Sequence, residues 1–228
     1  EAMREVSEEL RETAVYNTIL TWLAEGRNTL QELYSHTGFS RAKISVYLKS
    51  LMELELVEKV FSFDTEGHAN TKKGYYRIKS HLVDFYYRFV YPHASDAELM
   101  SGEAFYEKYI EKDFRAFVDV HFKEICREYM EEENAAGKLP FALTKISEWI
   151  GKQGCVDIVG STEGENCLIG ACFFTPMVTY ELYEELLLAA KQAKIAYSYI
   201  YLFGIDRFDG KLLLEARVKK NIRLVNLG

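Results

Sequence analysis

The chain has 228 residues, of which 48% are hydrophobic and 28% charged, and its formal net charge is −7. These proportions are ordinary for globular proteins and exclude a disordered or fibrous chain. No apolar run approaches the roughly 20 residues that a membrane helix needs. Four unevenly spaced cysteines favour a reduced, cytoplasmic protein.

Charge is uneven along the chain. Residues 36–80 hold 8 basic and 5 acidic residues, whereas residues 81–150 hold 8 basic and 14 acidic ones. A basic segment within an acidic protein favours a local contact with nucleic acid or a docking surface for another protein. The charge count does not separate these two alternatives.

Three helices are predicted at the N-terminal end. The first carries an apolar stripe and ends near Gly26. Thr29 and Glu32 have the spacing of a capping box, which predicts the start of a second helix that ends at Thr37 and Gly38. Ser40 then caps a third helix. The apolar positions of the first and third helices are Val15, Ile19, Leu20, Trp22, Leu23, Ile44, Tyr47, Leu48 and Leu51.

Two strands are predicted to follow these helices. Leu56–Phe63 alternates in polarity, the segment 64–73 is a polar loop, and Gly74–Ile78 returns as the second strand. Three helices with a tight turn before the third, followed by a hairpin, are typical of a winged helix-turn-helix.

The rest of the chain has a different pattern. An aromatic-rich helix is predicted at 81–91, and further helices are predicted at 103–111 and 113–133. After Pro140 the order is three strands, helix, strand, helix, strand, which predicts an α/β layout with a mixed sheet. The apolar runs at 156–159, 167–174 and 195–203 indicate strands that are buried on both faces, and helices are predicted at 180–194 and 212–218 before a last strand at 222–225.

The third helix has the docking geometry of a recognition helix. With Ile44 and Leu48 facing inward, its outer face is predicted to contain Ala42, Lys43, Val46, Lys49 and Ser50, with Ser45 at the flank. Basic side chains there would meet DNA phosphates, and the predicted nucleic-acid-binding residues are Arg41, Lys43, Lys49 and the loop residues Lys72 and Lys73. The alternative is a winged helix that docks onto another protein.

Motifs for metal or nucleotide chemistry are missing from the sequence. No two cysteines have C-x-x-C spacing, and neither a P-loop nor a G-x-G-x-x-G run occurs. His121, Glu124 and Glu128 form the only candidate for a metal-binding helix face, and a solvated face is the favoured interpretation. We therefore predict no catalytic residue, no metal site and no cofactor.

Several segments resemble archaeal and bacterial DEXX-box AAA-type ATPases. They are Ser40–Leu51, Leu56–Glu58, Tyr75–Ile78, Phe85–Pro92 and Phe122–Tyr129. In that family a P-loop ATPase domain precedes a winged helix, and a C-terminal domain of unassigned function resembles the PD-(D/E)xK nuclease fold. Because no Walker motif occurs in these 228 residues, the resemblance implies the C-terminal portion of a longer protein.

The nuclease resemblance implies four functional positions. Glu124 matches the helix acid and Asp157 the acid on the second strand, but Ala171 stands in place of the next carboxylate and Phe173 in place of the lysine. Two of the groups that would bind Mg²⁺ and stabilise the scissile phosphate are therefore missing. We expect these four positions to cluster at one end of the sheet without catalysing hydrolysis.

The predicted fold class is α+β. A winged helix-turn-helix (1–80), a helical connector (81–112) and a degenerate nuclease-like α/β domain (113–228) follow one another. The predicted function is that of a non-catalytic accessory and regulatory region of a AAA-type ATPase, with double-stranded DNA and the ATPase domain of the same protein as expected partners. Two alternatives remain: an active metal-dependent nuclease completed by a group such as Glu181, and a free-standing transcriptional regulator with a ligand-binding C-terminal domain.

Overall fold

The computed structural model of the chain describes residues 13–65, 74–151, 154–163 and 167–228. Residues 13–61 and 74–114 form one compact unit, and residues 62–65 together with the described residues from 115 onward form a second. The two are called the N-terminal and C-terminal units. The fold is mixed α and β, with a helix-turn-helix in the N-terminal unit and a five-stranded sheet in the C-terminal unit.

Local turn chemistry defines the three N-terminal helices, as predicted. They are α1 (Thr13–Ala24), α2 (Leu30–Thr37) and α3 (Arg41–Glu53). Thr29 Oγ1 accepts a hydrogen bond from the Glu32 N–H at 3.2 Å, and the Glu32 carboxylate accepts one from the Thr29 N–H at 3.0 Å. Gly38 ends α2 with a φ of +71°. The helices share one apolar core, whose fully buried members include Ile19, Leu20, Leu33, Ile44, Leu48 and Leu51.

Strands β1 (Val57–Val60) and β2 (Tyr75–Ile78) pair in antiparallel fashion and complete the winged helix. The prediction that the first strand reaches Phe63 is wrong. The Phe63 N–H donates to the Glu148 carbonyl at 2.7 Å and Ser62 Oγ accepts from the Ile150 N–H at 3.1 Å, so these residues bond to the C-terminal unit rather than extend the first strand. Residues 66–73 of the loop, with Lys72 and Lys73, lie outside the described residues.

Helical segments occupy most of the chain between 81 and 135. They are α4 (His81–Phe85), a π-helical turn (Tyr86–Val90), a 3₁₀ turn (Tyr91–His93), α5 (Ala94–Leu99), α6 (Gly102–Tyr109) and α7 (Glu111–Ala135). The predicted helix 81–91 is therefore helical throughout but widens after Phe85. At this wider turn the Tyr87 hydroxyl donates to Asn17 Oδ1 at 2.7 Å, and Arg88 donates to the Ala24 carbonyl at 2.6 Å. The irregular turn thus contacts α1 with two consecutive residues.

The C-terminal unit is built on a mixed sheet, as predicted. Its strands are β3 (Lys145–Ile150), β4 (Cys155–Ser161), β5 (Cys167–Cys172), β7 (Tyr199–Gly204) and β9 (Ile222–Asn226), in that spatial order. β3, β4 and β5 are antiparallel, and β5, β7 and β9 are parallel. A small separate pair joins β6 (Met177–Val178) to β8 (Arg207–Phe208). The sequence predicted three strands after Pro140 but gave no residue bounds for the first of them, β3.

Helices cover both faces of this sheet. Phe122, Cys126 and Met130 of α7 pack on one face, against a core that includes Ile158, Leu168 and Phe203. Helices α8 (Tyr180–Ala193) and α9 (Gly210–Val218) cover the other face. This two-sided cover explains why the central strands are buried almost throughout. Within the described part of the chain, no helix combines the length and apolar character needed to cross a membrane.

Candidate functional site

The outer face of α3 is the candidate nucleic-acid interface in the N-terminal unit. Ile44 and Leu48 are buried, as predicted, and four residues opposite them are exposed. These are Ala42, Ser45, Val46 and Lys49. Ser50 is half-buried, and its hydroxyl donates to the Val46 carbonyl at 3.4 Å. The exposed row has the i, i+3, i+4, i+7 spacing of one helix face.

Cations lie at both flanks of this row. The Arg41 guanidinium lies 5.1 Å from the centre of the Tyr34 ring and donates a hydrogen bond to Gln31 of α2. Lys43 Nζ lies 4.9 Å from the centre of the Phe39 ring, and Lys43 is half-buried rather than fully outward. Cation–π contacts of this kind limit the rotamers of the long side chains while leaving their charge available.

Lys49 lies in the third turn of α3. Its Nζ is 3.7 Å from the Glu53 carboxylate, in a pair whose side chains are 76% and 64% exposed. Such exposed pairs contribute little to stability and are readily exchanged for another anion. Lys49 therefore stays a predicted phosphate contact, as do Arg41 and Lys43.

A β-bulge lies at Asp157 in the C-terminal unit. Ser147 of β3 pairs with Val159, but Trp149 pairs with Val156, so β4 has one residue more than its partner between these two pairs. The additional residue lies in the Asp157–Ile158 segment. Bulges of this kind redirect a side chain and are frequent beside functional sites.

Asp157 is buried, and three donors surround its carboxylate. Lys123 Nζ of α7 lies 2.7 Å from Oδ1, and Oδ2 accepts the Cys172 N–H at 3.0 Å. The Cys155 thiol lies 3.5 Å from Oδ1. Burial lowers the pKa of Lys123, but the charge of Asp157 and the hydrogen bond to it prevail and hold that pKa above its usual value. Lys123 is therefore protonated at neutral pH.

Asp157 also lines a cavity of about 390 Å³ between the sheet and α8. Ala171 and Phe173 line the same cavity, so three of the four predicted nuclease-like positions lie together. Desolvation and the neighbouring Asp157 carboxylate raise the pKa of the Cys155 thiol to about 11. Glu185 of α8 also lines the cavity. Glu181, which the nuclease alternative had named, lies one turn earlier on that helix and does not line it.

The fourth position, Glu124, has a different neighbour. One of its carboxylate oxygens lies within 4.8 Å of a ring nitrogen of His121. The helix residue that contacts Asp157 is Lys123, which the sequence analysis had not considered. Lys123 follows Phe122 on the apolar side of α7, and this position could have indicated a partly buried cation.

His121 corrects a further prediction. The solvated-face interpretation is wrong for this residue, because it is only 8% exposed and its ring packs edge-on against Phe117 at 4.5 Å. Glu128 is exposed, as predicted, and Glu124 is half-buried. The three residues therefore do not share one solvated face.

Comparison with known proteins gives matches to both parts of the chain. Residues 17–59, from α1 to β1, match the family model described as bacterial regulatory proteins of the arsR family. An arsR-type helix-turn-helix lies in this region. Residues 86–184 match the DUF234 family, described as archaeal and bacterial proteins of unknown function.

One curated relative matches about two thirds of the chain. An uncharacterized protein of Methanocaldococcus jannaschii is 30% identical over 158 residues, which are 69% of this chain and 35% of that protein. The chain thus spans about a third of the length of this relative. No solved structure matches the chain.

Proposed function

We propose that this chain is a DNA-contacting regulatory region without catalytic activity. The observation that carries the proposal is the arsR-type match over 17–59, which coincides with the helices, the turn and the first strand of the winged helix. In this proposal α3 enters the major groove, and Arg41, Lys43 and Lys49 contact phosphates.

The charge distribution supports a local contact. The protein carries a net charge of −7, so long-range attraction to DNA is not expected. Residues 36–80 nevertheless carry three more basic than acidic residues, and the flanks of the α3 outer face carry Arg41 and Lys43. Binding should therefore be weak and strongly dependent on salt.

The geometry at Asp157 supports a nuclease-like domain that has lost its chemistry. A catalytic carboxylate binds Mg²⁺ through its oxygens, but at Asp157 the Lys123 ammonium already lies 2.7 Å from Oδ1 and would compete with and repel a metal cation. Ala171 and Phe173 add neither a metal ligand nor a cation at the cavity. The assignment of a nuclease-like fold rests on the sequence resemblance, and this unit would serve as a platform for contacts.

The parent protein in this proposal is a AAA-type ATPase. The resemblance of the sequence segments supports it, and about two thirds of the Methanocaldococcus jannaschii relative lie beyond the matched part, which leaves room for a further domain in that relative. A Walker A motif in the coding sequence upstream of Glu1 would support the parentage. The isolated chain, which has no phosphate-binding motif, should show no binding heat with Mg-ATP.

Charge reversal on α3 tests the DNA contact. Lys43→Glu with Lys49→Glu should abolish binding of duplex DNA at low salt, because both phosphate contacts become repulsive. Lys112→Glu with Lys220→Glu makes the same change in net charge at exposed positions outside the helix-turn-helix and should leave binding nearly unchanged. Equal binding by the two double variants would overturn the DNA contact at this surface and favour the alternative of docking onto protein.

A further inference from the structure

The outer face of α3 has charged flanks and a centre with few polar groups. At about 100° per residue, Arg41 and Lys43 project on opposite sides of Ala42, and each is held near an aromatic ring. Between them runs the exposed row of Ala42, Ser45, Val46 and Lys49. A helix in the major groove has one phosphate backbone on each side, which matches cations at both flanks.

The central row offers little for reading purines. Guanine and adenine are read by paired contacts from Arg, Lys, Asn or Gln. Lys49 is the one such residue in the row, and it lies in the third turn beside Glu53, whereas bases are contacted mainly by the first turns of a recognition helix. Ser45 is compatible with any base. Val46 is the large apolar residue of the row, and its side chain is 63% exposed.

We infer that Val46, with Ala42 beside it, contacts thymine methyl groups in the major groove, so that the winged helix prefers A·T-rich duplexes. The thymine C5 methyl is the apolar group that base pairs present in this groove. Burying it against Val46 removes two apolar surfaces from water, whereas a G·C pair would place polar edges against the valine. This inference rests on the proposed DNA contact and adds the class of sequence that is bound.

Replacement of thymine by uracil tests the inference with the full chain. Matched A·T-rich duplexes that differ only in the C5 methyl are titrated at one low salt concentration. We expect uracil to weaken binding by about fourfold for each methyl group contacted. This factor corresponds to the free energy of burying one methylene-sized group. Conversely, 5-methylcytosine in a G·C duplex adds a methyl at the same place and should strengthen binding.

Variants show which side chain is responsible. Val46→Ala should reduce the thymine-to-uracil ratio towards one, and Val218→Ala, an 80% exposed valine on α9, should leave it unchanged. Equal affinities of the parent chain for the thymine and uracil duplexes would overturn the inference while leaving DNA binding intact. Absence of binding to any duplex would overturn both the inference and the proposed DNA contact.

Discussion

Lys123 Nζ lies 2.7 Å from Asp157 Oδ1 and joins α7 to the bulge in β4. Asp157 is almost fully buried, whereas the Lys123 side chain is 31% exposed. The carboxylate receives a second donor from the backbone of Cys172 in the adjacent strand β5. One buried acid therefore connects a helix and two strands at the edge of the cavity, where the nuclease resemblance would place a metal.

Removing the lysine should destabilise the C-terminal unit. Lys123→Met leaves the buried Asp157 carboxylate without its countercharge, and we expect the free energy of unfolding to fall by about 3 kcal/mol in chemical denaturation. Adding Asp157→Asn should restore part of the loss. Lys49→Met breaks an exposed pair and should cost less than about 1 kcal/mol. A loss no larger than that of this control would contradict a structural role for the buried pair.

The Cys155 thiol should react slowly at neutral pH. Its pKa is raised to about 11 by desolvation and by Asp157, so its alkylation rate should rise with a midpoint near that pH. Asp157→Asn should lower the midpoint, because it removes a negative charge. The folded state favours the protonated thiol, so this contribution to stability is present at neutral pH and is lost as pH rises through about 11.

The control for this titration is Cys155→Ser, which identifies the reacting thiol. Cys126 and Cys172 are buried and should not compete. A midpoint at the ordinary thiol value of 9.0 would show that neither burial nor Asp157 raises the pKa of Cys155.

Gly38 should resist substitution because of its backbone conformation alone. Its φ is +71°, and among the described residues no heavy atom beyond its two chain neighbours lies within 4 Å of the position that a Cβ would occupy. Gly38→Ala should therefore lower the free energy of unfolding of the winged helix by about 1–2 kcal/mol, the cost of a left-handed non-glycine residue. Gly102→Ala meets equally open space without a positive φ and should be neutral or stabilising. Equal effects on thermal unfolding would refute this assignment.

The chain should not cut DNA. Two functional groups of the nuclease pattern are absent, and the loss of one preorganised group costs about 10²–10³ in rate. Incubation of supercoiled plasmid with Mg²⁺ or Mn²⁺ should leave it intact. Cleavage that Asp157→Ala stops while that variant stays folded by circular dichroism, and that the exposed-site control Asp206→Ala does not stop, would establish an active nuclease.

Local chemistry explains why the N-terminal helices could be predicted. The Thr29–Glu32 capping box, Gly38 and the Ser40 cap act within a few residues of chain, and each forms the contact that its spacing indicates. The buried positions Ile44 and Leu48 follow from helical periodicity in the same way. None of these features depends on a distant segment.

Features that depend on distant residues could not be predicted in this way. The first strand ends early because Ser62 and Phe63 bond to β3. Ser62 and its partner Glu148 are 86 residues apart in the sequence. The bulge depends on the register of β4 against β3, which a single strand does not specify. His121 is buried by tertiary packing, although its helix carries acidic residues around it.

The sequence by itself determined the winged helix and the alternation of strands and helices after Pro140. Only the tertiary structure decided that Asp157 is paired with Lys123 and that His121 is buried. Periodicity gives the direction of a side chain within its own element. The partner it meets depends on how separate elements pack, and a buried carboxylate is stabilised by whichever cation that packing brings within reach.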